Sequence, residues 1–242
     1  ALPIYASEQL RACASNESKS GVVEKITKYN EVILKGGERL YLSNILLSDA
    51  SSEKNPLQFL IGKKVSYYFS GRKKDRHNRL LVQLLVNDQT SYGLQSSLVM
   101  EGKAQAIAIP NNINCAQLLL QSEKLARNSQ RGEWGAGKNF KIVSVDDMKY
   151  LKRQPQGSFQ IVRGKIVNVG RSASNVFLNF SDDWRQDFTA VISSRLIKRK
   201  DSQWPELKSL IGKTVLIRGW LDFWNGPMIR LHTPLMLEQE SD

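Results

Sequence analysis

The chain has 242 residues, 35 of them basic and 23 acidic, for a formal charge of +12, with 41% hydrophobic and 8% aromatic residues. This composition excludes global disorder, the length admits two domains with separate cores, and no apolar run reaches the roughly 20 residues that a membrane-spanning helix needs. The positive field favours polyanions or an anionic membrane surface as partners, and charge alone does not separate these from an ordinary solvated basic surface.

Residues 1–20 read as an N-terminal segment. Its opening, ALPIYASEQ, resembles the end of a secretory signal with a cleavage point after Ala6, so the expectation is an exported, periplasmic chain; no basic n-region precedes it, and an arbitrary start reads the same way. The two cysteines, Cys13 and Cys115, are an even count that in an exported chain invites one disulfide, against the alternative of two unrelated buried thiols. Neither has C-x-x-C spacing, and His77 and His232 offer no ligand pattern, so no metal site is expected.

Residues 21–140 form the first expected domain. VVEKI (22–26), EVILK (31–35), RLYLSNILL (39–47), KVSYYFS (64–70) and LLVQLLV (80–86) are β-type runs separated by turn-forming residues such as Gly36-Gly37, Gly62 and Asn87-Asp88. Five short strands at this spacing predict a small barrel. Helical periodicity follows at 92–103, with Leu94, Leu98 and Val99 on one face, and at 115–131, with Asn114 as N-cap, Leu118, Leu119 and Ala126 in the apolar stripe and Gly132 as the stop. Residues 141–157 read as a short helix and a linker ending in Arg153-Gln154-Pro155-Gln156-Gly157. Residues 158–240 then repeat the pattern: β-type runs at 159–170, 175–180, 187–192, 213–221 and 227–233, with a short helix at 203–210. The fold class expected is therefore mainly β with helices, two OB-fold-type five-stranded barrels in one chain.

GRKKDRHNRLLV (71–82) and NINCAQLLLQSEKLARNSQRGEWG resemble the second half of a staphylococcal-nuclease-like, or thermonuclease, domain, and NVFLNFSDDWRQDFTAVI with RGWLDFWNGPMI resembles a C-terminal domain attached to bacterial proteins of that kind. The resemblance implies calcium-dependent phosphodiester hydrolysis: carboxylates hold the cation, arginines neutralise the phosphate and a carboxylate base positions water. The family's D-G-D-T turn is here Lys28-Tyr29-Asn30-Glu31, and its V-R-L-x-G-I-D-x-P-E stretch is Leu40-Tyr41-Leu42-Ser43-Asn44-Ile45-Leu46-Leu47-Ser48-Asp49. Tyr41 thus stands where an arginine is expected, Leu46 where a metal-binding aspartate is expected, and Asp49 where the base is expected; Ile107 replaces a substrate-contacting tyrosine, and Arg79 matches the second arginine.

The reading is a catalytically degenerate member, with Arg79, Asp49, Glu31 and Asn30 as remnants, no cofactor, and a role in binding nucleic acid or another polyanion or as an envelope interaction module with a protein partner. The alternative is a calcium-dependent nuclease acting on DNA or RNA, its site rebuilt from those four residues. Binding candidates are Lys63, Lys64, Tyr68, Arg72, Lys73, Lys74, Arg76 and Arg79, basic groups interleaved with aromatics; Tyr68 is the ring expected to face out, because Tyr67 and Phe69 share the core side. A second basic run, Arg195 with Lys198-Arg199-Lys200, lacks an obvious stacking partner, and Trp184, Trp220 and Trp224 are expected as core or interdomain contacts.

Overall fold

The computed structural model describes residues 13, 17–48, 55–87, 92–109, 112–183 and 187–240. The chain divides into two units, Ala1–Phe140 and Lys141–Asp242. Among the described residues, no helix is long and apolar enough to cross a membrane.

The first unit is built on β1 (Ser18–Ile26), β2 (Val32–Leu34), β3 (Arg39–Leu42), β4 (Ile45–Leu47), β5 (Lys64–Lys74), β6 (Leu80–Val86), β7 (Tyr92–Gly93) and β8 (Ala104–Ala106). Antiparallel β1–β2, β2–β3, β5–β6 and β1–β5 pairings, with parallel β3–β6, close a five-stranded barrel. Period-two patterning sets the inside: Val65, Tyr67 and Phe69 of β5 meet Val82, Leu84 and Val86 of β6 in one core. The outer face of the same pair is covered as well, and Tyr68 packs with Leu85 there.

The run at 39–47, expected as one strand, is two. Asn44 sits at φ 63° and ends β3, and β4 leaves the barrel to pair with β8. Its amide is the hub of a buried network: Oδ1 accepts from Gln83 and Asn112, and Nδ2 donates to the Ile107 carbonyl at 3.1 Å. That network also explains the start of the long helix. It runs Ile113–Asn128, with Asn112 at the N-cap position in place of the expected Asn114, and the Asn112 side chain is spent on Asn44 rather than on capping. The preceding helix, α1 (Leu94–Met100), is shorter than the predicted span because Tyr92–Gly93 extends the sheet beside β6. Between α1 and the long helix, α2, backbones touch: a Cβ on Gly102 (φ +68°) would lie 2.0 Å from the Arg131 carbonyl. A disulfide joins Cys13 to Cys115 of α2, with 4.9 Å between Cα atoms.

The second unit contains β9 (Val143–Ser144), α3 (Met148–Leu151), β10 (Phe159–Lys165), β11 (Asn168–Arg171), β12 (Asn175–Asn179), β13 (Thr189–Ser193), α4 (Ser194–Ile197), β14 (Thr214–Phe223), β15 (Pro227–Leu231) and β16 (Leu237–Gln239). The sheet order is β11-β12-β13-β15-β14-β10-β9, with β16 beside β14, and the curl separates β10 and β11, which are consecutive along the chain, by four intervening strands. This strand order is the same OB-type circuit as in the first unit. Residues 141–157 are no linker: β9 pairs in parallel with β10, and Leu151 is fully buried, so the segment is part of the second unit. The helix expected at 203–210 is a single 3-10 turn, Leu207–Leu210.

Candidate nucleic-acid interface

The β1–β2 turn is held by Thr27, whose hydroxyl accepts the N–H groups of Tyr29 and Glu31, both at 3.2 Å. This places Asn30 at φ 59°, with its Oδ1 accepting from Asn55 Nδ2 at 2.6 Å. Glu31 is buried. Its Oε1 lies 2.7 Å from Arg39 Nη2 and 3.7 Å from Arg79 Nη1. The β2–β3 register explains the first contact: Arg39 lies opposite Ile33, diagonal to Glu31 on the same face.

The β5–β6 hairpin delivers Arg79. Its turn is organised by Asp75, whose Oδ1 accepts the N–H groups of His77 (2.9 Å) and Arg79 (3.0 Å). The other oxygen takes Arg79 Nε at 2.7 Å and Nη2 at 2.6 Å. Burial pushes the Asp75 carboxyl up, but the hydrogen bonds from the Arg79 and His77 N–H groups and the Arg79 guanidinium outweigh it and hold the pKa below the usual carboxylate value. Parallel pairing of β3 with β6 sets Tyr41 beside Arg79, whose guanidinium carbon lies 3.9 Å from the ring centroid. Tyr41, at the position where an arginine is expected, is thus a cation–π support for Arg79.

Two carboxylates and two arginines therefore balance in one cluster of ion pairs. Of the four remnant candidates, the structure brings Glu31 and Arg79 together, turns the Asn30 oxygen toward Asn55, and leaves Asp49 outside the described residues. Leu46 lies opposite Gln105 in the β4–β8 pair. Among the described residues, no group of three or more His, Cys, Asp or Glu side chains is placed to hold a metal ion. Sequence reasoning missed Thr27, Arg39 and Asp75. The D-x-x-x-R spacing across a turn is a signal for Asp75, whereas Arg39 needs the strand register.

The binding candidates separate. Lys63 and Lys64 stand at one end of β5, with the Lys63 ammonium 5.3 Å from the ring centre of exposed Phe59. Lys73, Lys74 and Arg76 stand at the other, about 30 Å away along an extended strand, so the basic residues make two groups and not one patch. Tyr68 is 8% exposed, a correction to its expected role as the outward ring: it is on the outer face, but that face is covered, and no base can stack on it. The Arg72 side chain lies outside the described residues. At the hairpin end a groove of about 790 Å³ is lined by Lys19, Lys73, Lys74 and Arg76, with Glu17 and Asp75 opposing them. Lys73 reaches Glu17 at 3.5 Å and lies over the Phe69 ring. Two tryptophans also depart from expectation: Trp220 and Trp224 are 48% and 74% exposed, while Trp184 lies outside the described residues.

A closed barrel of this strand order with a β5–β6 hairpin and two following helices defines a staphylococcal-nuclease type of OB domain. A family model described as Staphylococcal nuclease homologue matches residues 51–136, and the first unit is a staphylococcal-nuclease-like domain, which supports a nuclease-like or nucleic-acid-binding role. The match includes Arg79 and begins downstream of Asn30, Tyr41, Leu46 and Asp49. No curated protein matches the chain.

Proposed function

We propose that the first unit binds nucleic acid or a related polyanion electrostatically and does not cleave it, in an exported, periplasmic chain. The observation that carries this reading is the occupancy of Arg79: the one arginine retained from the family pattern is spent on Asp75, Glu31 and Tyr41, while Lys73, Lys74 and Arg76 remain at the open hairpin end. A guanidinium so engaged is a poor clamp for a developing phosphate charge, and an asparagine committed to Asn55 is a poor cation ligand. The Cys13–Cys115 bond supports an oxidising compartment.

The test is binding to short single- and double-stranded DNA and RNA as a function of salt, with and without millimolar calcium. Affinity is expected to fall steeply with salt for all sequences alike, and replacing Lys73 and Lys74 with Ala to reduce the log–log slope by roughly 0.7–0.9 for each phosphate no longer held. Calcium-dependent cleavage that disappears in Arg79→Ala refutes the non-catalytic reading in favour of a rebuilt nuclease. No binding at low salt refutes the nucleic-acid reading and leaves an envelope protein as the partner to seek.

A further inference from the structure

The outer side of β10, β14 and β15 in the second unit carries an aromatic hollow. Along β14, Leu221 is buried in the barrel, whereas its neighbour Trp220 faces out and is 48% exposed. On β15 the same alternation buries Ile229 and Leu231 and turns Arg230 outward. Phe159 of β10 lies directly opposite Trp220, and the two rings meet edge to face, with centroids 5.3 Å apart and planes at 73°. That contact sets the tilt of the indole and leaves part of its surface to solvent.

The hollow measures about 300 Å³, the lower end of the range for small-ligand sites, and is lined by Trp220 and Leu221 with Gln156, Asp222, Arg230 and His232. Its polar groups are already ordered. Asp222 Oδ1 accepts from Gln156 Nε2 at 2.8 Å and from the Phe223 N–H at 2.9 Å, and Oδ2 lies 3.6 Å from Arg230 Nε. The lining thus holds one carboxylate and one guanidinium facing each other, with an amide and an imidazole beside them.

A rim whose formal charges cancel gives a polyanion no electrostatic gain. It does present donors and acceptors around an aromatic plane. A pyranose ring with equatorial substituents is the complement of such a surface. Its faces carry C–H groups, whose slight positive charge is drawn to the negative face of an indole, and its edge carries hydroxyls that planar amide, carboxylate and guanidinium groups can hold.

We propose that this hollow binds a neutral oligosaccharide of β-linked gluco-configured sugars, one ring lying on Trp220 and its hydroxyls held by Asp222, Gln156, Arg230 and His232. The ligand is uncharged, so the site is independent of the polyanion reading of the first unit, and its affinity does not follow salt.

The experiment titrates the full chain with chitotetraose and with cellotetraose, up to millimolar concentration, by isothermal calorimetry at low and moderate salt. The two sugars differ at the second ring carbon, so their relative affinity reports whether an acetamido group is read. Binding of at least one, equal at both salts, is expected. Trp220→Ala should weaken it at least roughly tenfold, Trp220→Phe less, because a ring remains against Phe159, and Trp224→Ala, outside the hollow, not at all. Arg230→Ala at the exposed rim should act in the same direction as Trp220→Ala, and the melting temperature of each variant shows that it is folded. Wild-type affinity in both folded variants overturns the site. So does the absence of heat with either sugar, which would leave the face to a protein partner. Displacement of the sugar by oligothymidylate overturns the assignment of a neutral ligand.

Discussion

Replacing Asp75 with Ala tests whether the Arg79 cluster is structural. The change removes four hydrogen bonds at once: two from backbone N–H groups of the turn and two from the Arg79 guanidinium. Hydrogen bonds to a charged group contribute about 1.5–3 kcal/mol each. They are not additive, and both side chains are 17% exposed, so water recovers part of the loss. The expected net cost is about 2–3 kcal/mol, or roughly 6–12 °C in the melting temperature of a unit of this size. Asp75→Asn keeps an acceptor for the two backbone groups and should lose about half as much. The pH dependence has a definite sign. Because the folded carboxyl is held below its ordinary value, its contribution is fully present above about pH 4 and is lost as pH falls through the folded pKa. The gap between wild type and Asp75→Ala, measured by calorimetry, should therefore be constant near neutrality and shrink in acid. A variant that melts within about 1 °C of wild type at pH 7 would refute the reasoning.

Other expectations follow from single contacts. Tyr41→Leu, which removes the ring under Arg79, should cost about 0.5–1 kcal/mol in a denaturant titration. Gly102→Ala forces a positive φ on a side chain aimed at the Arg131 carbonyl and should destabilise by at least about 2 kcal/mol, read as a shift in denaturation midpoint. Reducing the Cys13–Cys115 bond, or Cys115→Ser, should cost about 2–4 kcal/mol for a link spanning 102 residues, and mass spectrometry of the oxidised protein should find no free thiol. Purified protein is expected not to cleave single-stranded DNA at millimolar calcium, measured on gels over hours.

Legibility in the sequence follows the range of the interaction. Strand β6 is predicted at its observed limits because Leu80 to Val86 is an apolar run interrupted by Gln83 alone and followed by turn-forming Asn87. The break at Asn44 escapes prediction, since its causes are Gln83 and Asn112, 39 and 68 residues away. Alternation places Tyr68 on the outer face correctly but carries no information about what covers that face. Trp220 and Trp224 are expected inside because large aromatics usually bury; the β14 strand and its hairpin tip hold them out instead. Strands β9 and β16, of two and three residues, are too short for a periodic pattern. At the site, Arg79 is legible from DRHNR, whereas its partner Glu31 becomes visible only once β2, β3 and β6 are in register.

The bond between Cys13 and Cys115 has a topological consequence. All five barrel strands of the first unit, with α1 and β8, lie between these two residues, so they form part of one covalent ring. A single cut by a protease anywhere from 14 to 114 opens that ring without releasing a fragment. The nicked molecule gains only the mass of a water, and the two pieces part only when the sulfurs are reduced. In a compartment rich in proteases and free of reductant, the barrel can lose its chain continuity and still remain one molecule.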